Sequence, residues 1–171
     1  KKDKTQHTIA TINMYVDLPY HFKGTHMSRF VEMLHLLKPE ISLNKFSALL
    51  EAMKANLDAA SAHIEVSFPY FIEKQAPVSS APGLMDYNCR IIGSSNSRNE
   101  IDLVSEVNVP ITSVCPCSKE ISEYGAHNQR SEISIEVRPS QDAFMWFEDV
   151  IDMARAAVPT ETKVSGSGAA P

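Results

Sequence analysis

Five stretches of this chain alternate apolar and polar residues with a period of two, and this constrains the fold more than any other feature. That period belongs to a strand with one face buried. In residues 8–18, Ala10, Ile12, Met14, Val16 and Leu18 share one face; Thr11, Asn13, Tyr15 and Asp17 share the other, and Pro19 ends the run. The pattern returns over 62–73 (Ile64, Val66, Phe68), 86–93 (Tyr87, Cys89, Ile91), 101–111 (Ile101, Leu103, Val107, Val109, Ile111) and 132–138 (Ile133, Ile135, Val137). Ala76 to Gly83 reads as a loop and Ser94 to Asn99 as a hairpin turn.

Three stretches change to helical spacing. Residues 26–38 carry Met27, Phe30, Val31, Leu34 and Leu37, with Thr25 as N-cap and Pro39 as a stop. Residues 44–59 carry Phe46, Leu49, Leu50, Met53 and Leu57 on one stripe, and the short link predicts an antiparallel helix pair. A last helix is predicted over 143–157 through Phe144, Phe147, Ile151 and Ala154, with Trp146 and the phenylalanines beside it as docking groups. Two helices covering one face of a largely antiparallel sheet make an α+β layer. Residues 1–158 are read as one domain. Residues 159–171, which end Ser165-Gly166-Ser167-Gly168-Ala169-Ala170-Pro171, have linker composition and are expected to be a disordered tail or a truncation scar.

Composition narrows the function classes. With 43% hydrophobic and 22% charged residues, the 171-residue chain is of the soluble globular kind. No apolar run reaches the ~20 residues that span a bilayer, so no membrane is expected. A net charge of −5 argues against a nucleic-acid partner. An odd number of cysteines, three, argues against a disulfide framework and for a reducing cytoplasm.

Chemistry concentrates in residues 112–131. Cys115 and Cys117 flank Pro116, and His127 follows ten residues after Cys117, between two strand-like runs. Thiolate plus imidazole binds zinc and similar ions. Equally, Lys119, Arg130 or His127 beside a thiol favours a nucleophilic cysteine. Spacing alone leaves metal ligation at even odds with two small, half-buried residues and a surface histidine. At the start of the first helix, Gly24-Thr25-His26-Met27-Ser28-Arg29 offers N–H groups and cations to a phosphate, though an ordinary cap is the simpler account. Cys89 reads as core. His35 and His63 read as packing or surface groups, and Glu65 and Glu73 as strand carboxylates able to hydrogen-bond a ligand's base edge, with surface charge the simpler account.

The segment Cys115-Pro116-Cys117-Ser118-Lys119-Glu120-Ile121-Ser122, with Tyr124-Gly125-Ala126-His127-Asn128-Gln129-Arg130-Ser131, resembles the signature of the type IB GTP cyclohydrolases. Lys23-Gly24-Thr25-His26-Met27-Ser28-Arg29-Phe30 agrees, as do Val66-Ser67-Phe68-Pro69 and Ala76-Pro77-Val78-Ser79, over about residues 8–157. The resemblance implies the tunnelling fold (T-fold), a homotetramer with active sites at subunit interfaces, and hydrolysis of GTP to 7,8-dihydroneopterin triphosphate and formate, the entry to tetrahydrofolate. It implies a divalent metal (zinc, manganese or iron) on Cys115 and His127, with Cys115 at the catalytic centre and Cys117 in support. His26, Ser28, Arg29, Lys119 and Arg130 are candidate triphosphate contacts, the last two chosen on charge.

Family members continue past the last helix, with a carboxylate metal ligand, a purine-anchoring glutamate and a late histidine motif. Nothing after Val158 matches that continuation, so weak metal binding and little turnover are expected of this chain alone. Rival readings are an archaeal-type cyclohydrolase giving a cyclic phosphate, a non-catalytic T-fold binding or assembly module, and a thiol-dependent enzyme.

Overall fold

β1 (Thr11–Val16), β2 (Ala62–Gln75), β3 (Pro82–Ser95), β4 (Ile101–Val114) and β5 (Asn128–Val137) pair in chain order into one antiparallel sheet. The computed structural model describes residues 7–21, 24, 27–35, 43–76, 79–121, 127–139 and 146–157. Register carries the apolar alternation across the sheet. Ile12 stands opposite Val66, Val66 opposite Ile91, Cys89 opposite Val107, and Val107 opposite Ile135. Each row therefore presents its apolar side chains on the same face, and a slip of one residue would turn them all outward.

That face is covered by α1 (Met27–Leu34), α2 (Leu43–Leu57) and α4 (Phe147–Ala157). α2 lies over β1, β2 and β3, with α1 against it, and α4 packs on β4. Phe46, Leu49, Leu50 and Met53 of α2 are fully buried against Ile64 and Val66. Full burial stabilises by about 1.5–3 kcal/mol for each large side chain. Gly93 lets α2 approach closely: a Cβ there would meet Leu103 Cδ2 at 3.1 Å, Leu50 Cδ1 at 3.2 Å and Ile64 Cγ2 at 3.3 Å. α4 docks through Phe147, edge-on to Phe68 with centroids 5.8 Å apart, and Tyr70 Oη donates to Glu148 Oε1 at 3.2 Å. Trp146 supplies its carbonyl to the N–H groups of Asp149 and Val150.

α2 closes on Asp58, which takes a left-handed φ of 50°, while the Ala59 N–H donates back to the Lys54 carbonyl at 3.0 Å. This is the usual way a helix end satisfies its last carbonyls. Lys54 Nζ then donates to the Asn96 carbonyl and to Asn99 Oδ1 (2.6 Å), tying the end of α2 to the β3–β4 hairpin.

This is the α+β arrangement expected of a T-fold subunit. The strands run further than the alternation does: β3 begins at Pro82, inside the segment read as a loop, and β5 begins at Asn128, before Ile133. These extensions are held by cross-strand pairing and not by a buried apolar face. The first helix is observed from Met27, the second from Leu43 and the last from Phe147. Thr25, His26, Leu37, Phe144, Pro77, Val78 and the 159–171 segment lie outside the described residues. A short helix not foreseen in the sequence, α3 (Pro116–Ile121), follows β4 directly. No helix among the described residues is long and apolar enough to cross a membrane.

Candidate active site

β4 and β5 place Cys115 and His127 side by side. Val114 is the register partner of Asn128, and the next step outward is continued by the Cys115 N–H, which donates to the His127 carbonyl at 3.2 Å. Directly opposite residues of an antiparallel pair project to the same side with Cβ atoms ~5 Å apart. Eleven intervening residues thus return His127 to a position across from Cys115.

Cys115 is also the cap of α3. Pro116 occupies the first helical position, where a missing N–H costs nothing. The Ser118 hydroxyl and N–H, and the N–H and thiol of Cys117, are the neighbouring donors that favour the ionised Cys115 sulfur. These donors, Ser118 first, hold the Cys115 thiol below its ordinary pKa against a smaller opposing effect of burial. Cys89 behaves oppositely: buried in the core, its thiol is pushed up to about 12 by desolvation. Cys117 is exposed. Ser118 is the contact that sequence reading missed; the signal for it is a hydroxyl at the third helical position after a capping residue.

The pair suits a divalent ion. A stabilised thiolate and an exposed imidazole on one side of the sheet are two of the ligands zinc prefers. Among the described residues no third His, Cys, Asp or Glu joins them.

The other predicted contacts lie elsewhere. Arg130 pairs with Thr112, three residues from His127, so alternation sends it to the opposite face. The Lys119 side chain and His26 lie outside the described residues. Ser28 is exposed on α1, and Arg29 Nη1 donates to the Asn56 carbonyl at 2.9 Å, at the C-terminal end of α2. That end is tied to the hairpin where β4 begins. β4 spans 14 residues before reaching Cys115, roughly 40 Å at its rise per residue. Arg29 and Cys115 therefore stand at opposite ends of the sheet.

The sheet face without helices carries polar rows. Thr11, Ser67, Arg90, Glu106 and Glu136 align across all five strands. Arg90 Nε donates to Glu106 Oε2 at 2.8 Å, and Ser134 Oγ donates to Glu106 Oε1 at 3.3 Å. A 360 Å³ depression lies there, beside Asn108, whose Oδ1 is buried with no partner among the described residues. A second depression, 610 Å³, sits at the hairpin end between Tyr15, Asp17, His63 and Asp102. Neither includes Cys115 or His127.

These observations define an α+β protein that sets a cysteine across from a histidine at one end of its antiparallel sheet. The chain belongs to the family described as GCHY-1, type I GTP cyclohydrolase folE2, whose profile matches residues 1–164. It is 60% identical over 161 residues to the GTP cyclohydrolase FolE2 of Desulfosudis oleivorans, covering 94% of this chain and 61% of that protein. It is 56% identical over 153 residues to that of Geobacter metallireducens (90% and 57%), and 51% over 162 residues to that of Syntrophobacter fumaroxidans (93% and 62%). The chain spans about three fifths of the length of these curated relatives. The expected kinship with GTP cyclohydrolases holds at this level; the type IB designation is finer than the match.

Proposed function

We propose that the chain is the Cys/His-bearing part of a GTP cyclohydrolase of the type IB kind, acting on GTP to give 7,8-dihydroneopterin triphosphate and formate. The observation that carries this reading is the Cys115–His127 pairing at the β4–β5 end, inside the family match. Cys115 and His127 would hold a zinc, manganese or iron ion, which would supply Lewis-acid activation of the water needed at C8 of the guanine ring. The chain's own residues prepare the site. Ser118 and Cys117 lower the pKa of the Cys115 thiol, and backbone pairing sets His127 across from it.

The same reading takes the protein as a homotetramer, in the cytoplasm, where free thiols persist. β1 and β5 each have one edge unpaired among the described residues, which suits sheet continuation between subunits. The Arg29–Cys115 separation supports a site shared between subunits: triphosphate contacts at Ser28 and Arg29 meet a metal at Cys115 only from different chains. His26 stays a triphosphate candidate through the motif at the start of the first helix, and Lys119 and Arg130 on charge alone.

Metal analysis of purified protein tests the site. Bound zinc, manganese or iron in the parent chain and its loss in both Cys115→Ala and His127→Ala is the expected result; unchanged metal in both variants overturns the assignment. Incubation with GTP and the metal, then oxidation, tests for a fluorescent pterin. A second reading, a binding and assembly module, is supported by the lack of a third ligand beside the pair among the described residues. It predicts GTP binding without formate release, and weak metal affinity.

A further inference from the structure

The β3–β4 ladder stops at Asn88 and Asn108, its last paired rung. Beyond it β3 stays with β2 as far as Pro82, and β4 stays with β5 as far as Val114. Asn108 therefore stands where the sheet forks. It lies between Val107 and Val109, which belong to the core, so alternation turns it to the polar face. Its Oδ1 is buried there with no hydrogen-bond partner among the described residues. A buried acceptor left open costs free energy, and the 360 Å³ depression beside it has room for a donor.

The neighbouring groups define the chemistry of that donor. Arg90 and Glu106, which oppose each other two residues along the ladder, line the same depression. Arg90 gives both Nε and Nη2 to Glu106 Oε2. Glu106 Oε1 receives only the Ser134 hydroxyl, at 3.3 Å, among the described residues. The carboxylate thus keeps acceptor capacity, and the guanidinium, with its five N–H groups, keeps donor capacity. A ligand of single positive charge would be opposed by Arg90, and one of single negative charge by Glu106. A neutral molecule carrying both charges satisfies the two together. Ile9, 87% exposed, and Pro69 add an apolar wall. Thr8 Oγ1 donates to the Pro69 carbonyl at 2.8 Å and holds the segment before β1 in place there.

We propose that this fork binds a free α-amino acid with an apolar side chain, as its zwitterion. The ammonium donates to Asn108 Oδ1 and Glu106 Oε1, the carboxylate accepts from Arg90, and the side chain covers Ile9 and Pro69. Cys115 lies seven residues beyond Asn108, just past the end of β4, roughly 23 Å along a strand. Binding at the fork depends neither on a metal nor on the proposed reaction.

Isothermal titration of the full chain with L-leucine tests the site. Isocaproate and isopentylamine, each lacking one of the two charges, are the controls. Saturable binding of leucine is expected, tighter than either control by roughly tenfold or more, the worth of one charged hydrogen bond. Asn108→Ala and Glu106→Gln should each weaken leucine by a similar factor, while Cys115→Ala leaves it unchanged. Circular dichroism identifies the folded variants, and either one of the first two, if folded, is decisive. No leucine binding by the parent chain, equal binding of a control, or unchanged binding in a folded Asn108 or Glu106 variant overturns the site. Loss of binding in Cys115→Ala would place the ligand at the thiol and overturn it as well.

Discussion

Asp58 and Glu65 show how single residues are tuned by their neighbours. Asp58 ends α2 in a left-handed conformation that suits glycine, and its negative charge sits at the negative end of the helix. Asp58→Gly is expected to raise stability by about 0.5–1 kcal/mol, read as a higher urea midpoint at unchanged slope. The Glu65 carboxyl is held below its ordinary value of 4.5, first by its hydrogen bond to His63, 3.0 Å away. The folded protein therefore favours the ionised form. This stabilisation is fully present above the unfolded value and is lost as pH falls through the lower folded one. Glu65→Gln should flatten the decline of stability on the acid side of pH 4.5; an unchanged decline would show the His63 contact to be inert. Cys115 was legible as a candidate because Cys-Pro-Cys is rare chemistry. Its contact with Ser118 was not, since capping geometry appears only once α3 exists.

At the scale of elements, α2 holds the molecule together. Leu50 is fully buried, so Leu50→Ala should cost about 2–5 kcal/mol, measured by chemical denaturation. Gly93→Val forces a branched side chain among Leu103, Leu50 and Ile64 and should cost about 1–3 kcal/mol through overpacking. Lys54→Ala removes two donors to the β3–β4 hairpin; faster amide exchange at residues 96–100 than in β2 is expected, and equal protection in both proteins would refute the clamp. Strand and helix identities were legible from period, because one buried face enforces it. Strand ends were not: Gln129 and Arg130 carry no apolar alternation, yet β4 recruits them by backbone pairing.

For the whole molecule, a sheet with helices on one face leaves a polar face and, among the described residues, two unpaired strand edges. Sedimentation should give a mass near four times the 18.9 kDa chain; a monomer at micromolar concentration would overturn the proposed tetramer and the shared site with it. By itself the sequence determined the α+β class and the core stripe of α2, and marked Cys115 and His127 as candidates, since periodicity and rare residue types are local properties. Only the tertiary structure decided which groups meet. Register brought His127 to Cys115 and sent Arg130 to the other face, and the length of β4 set Arg29 far from both. Those outcomes depend on backbone pairing over long sequence separations, which leaves no mark in the spacing of residues.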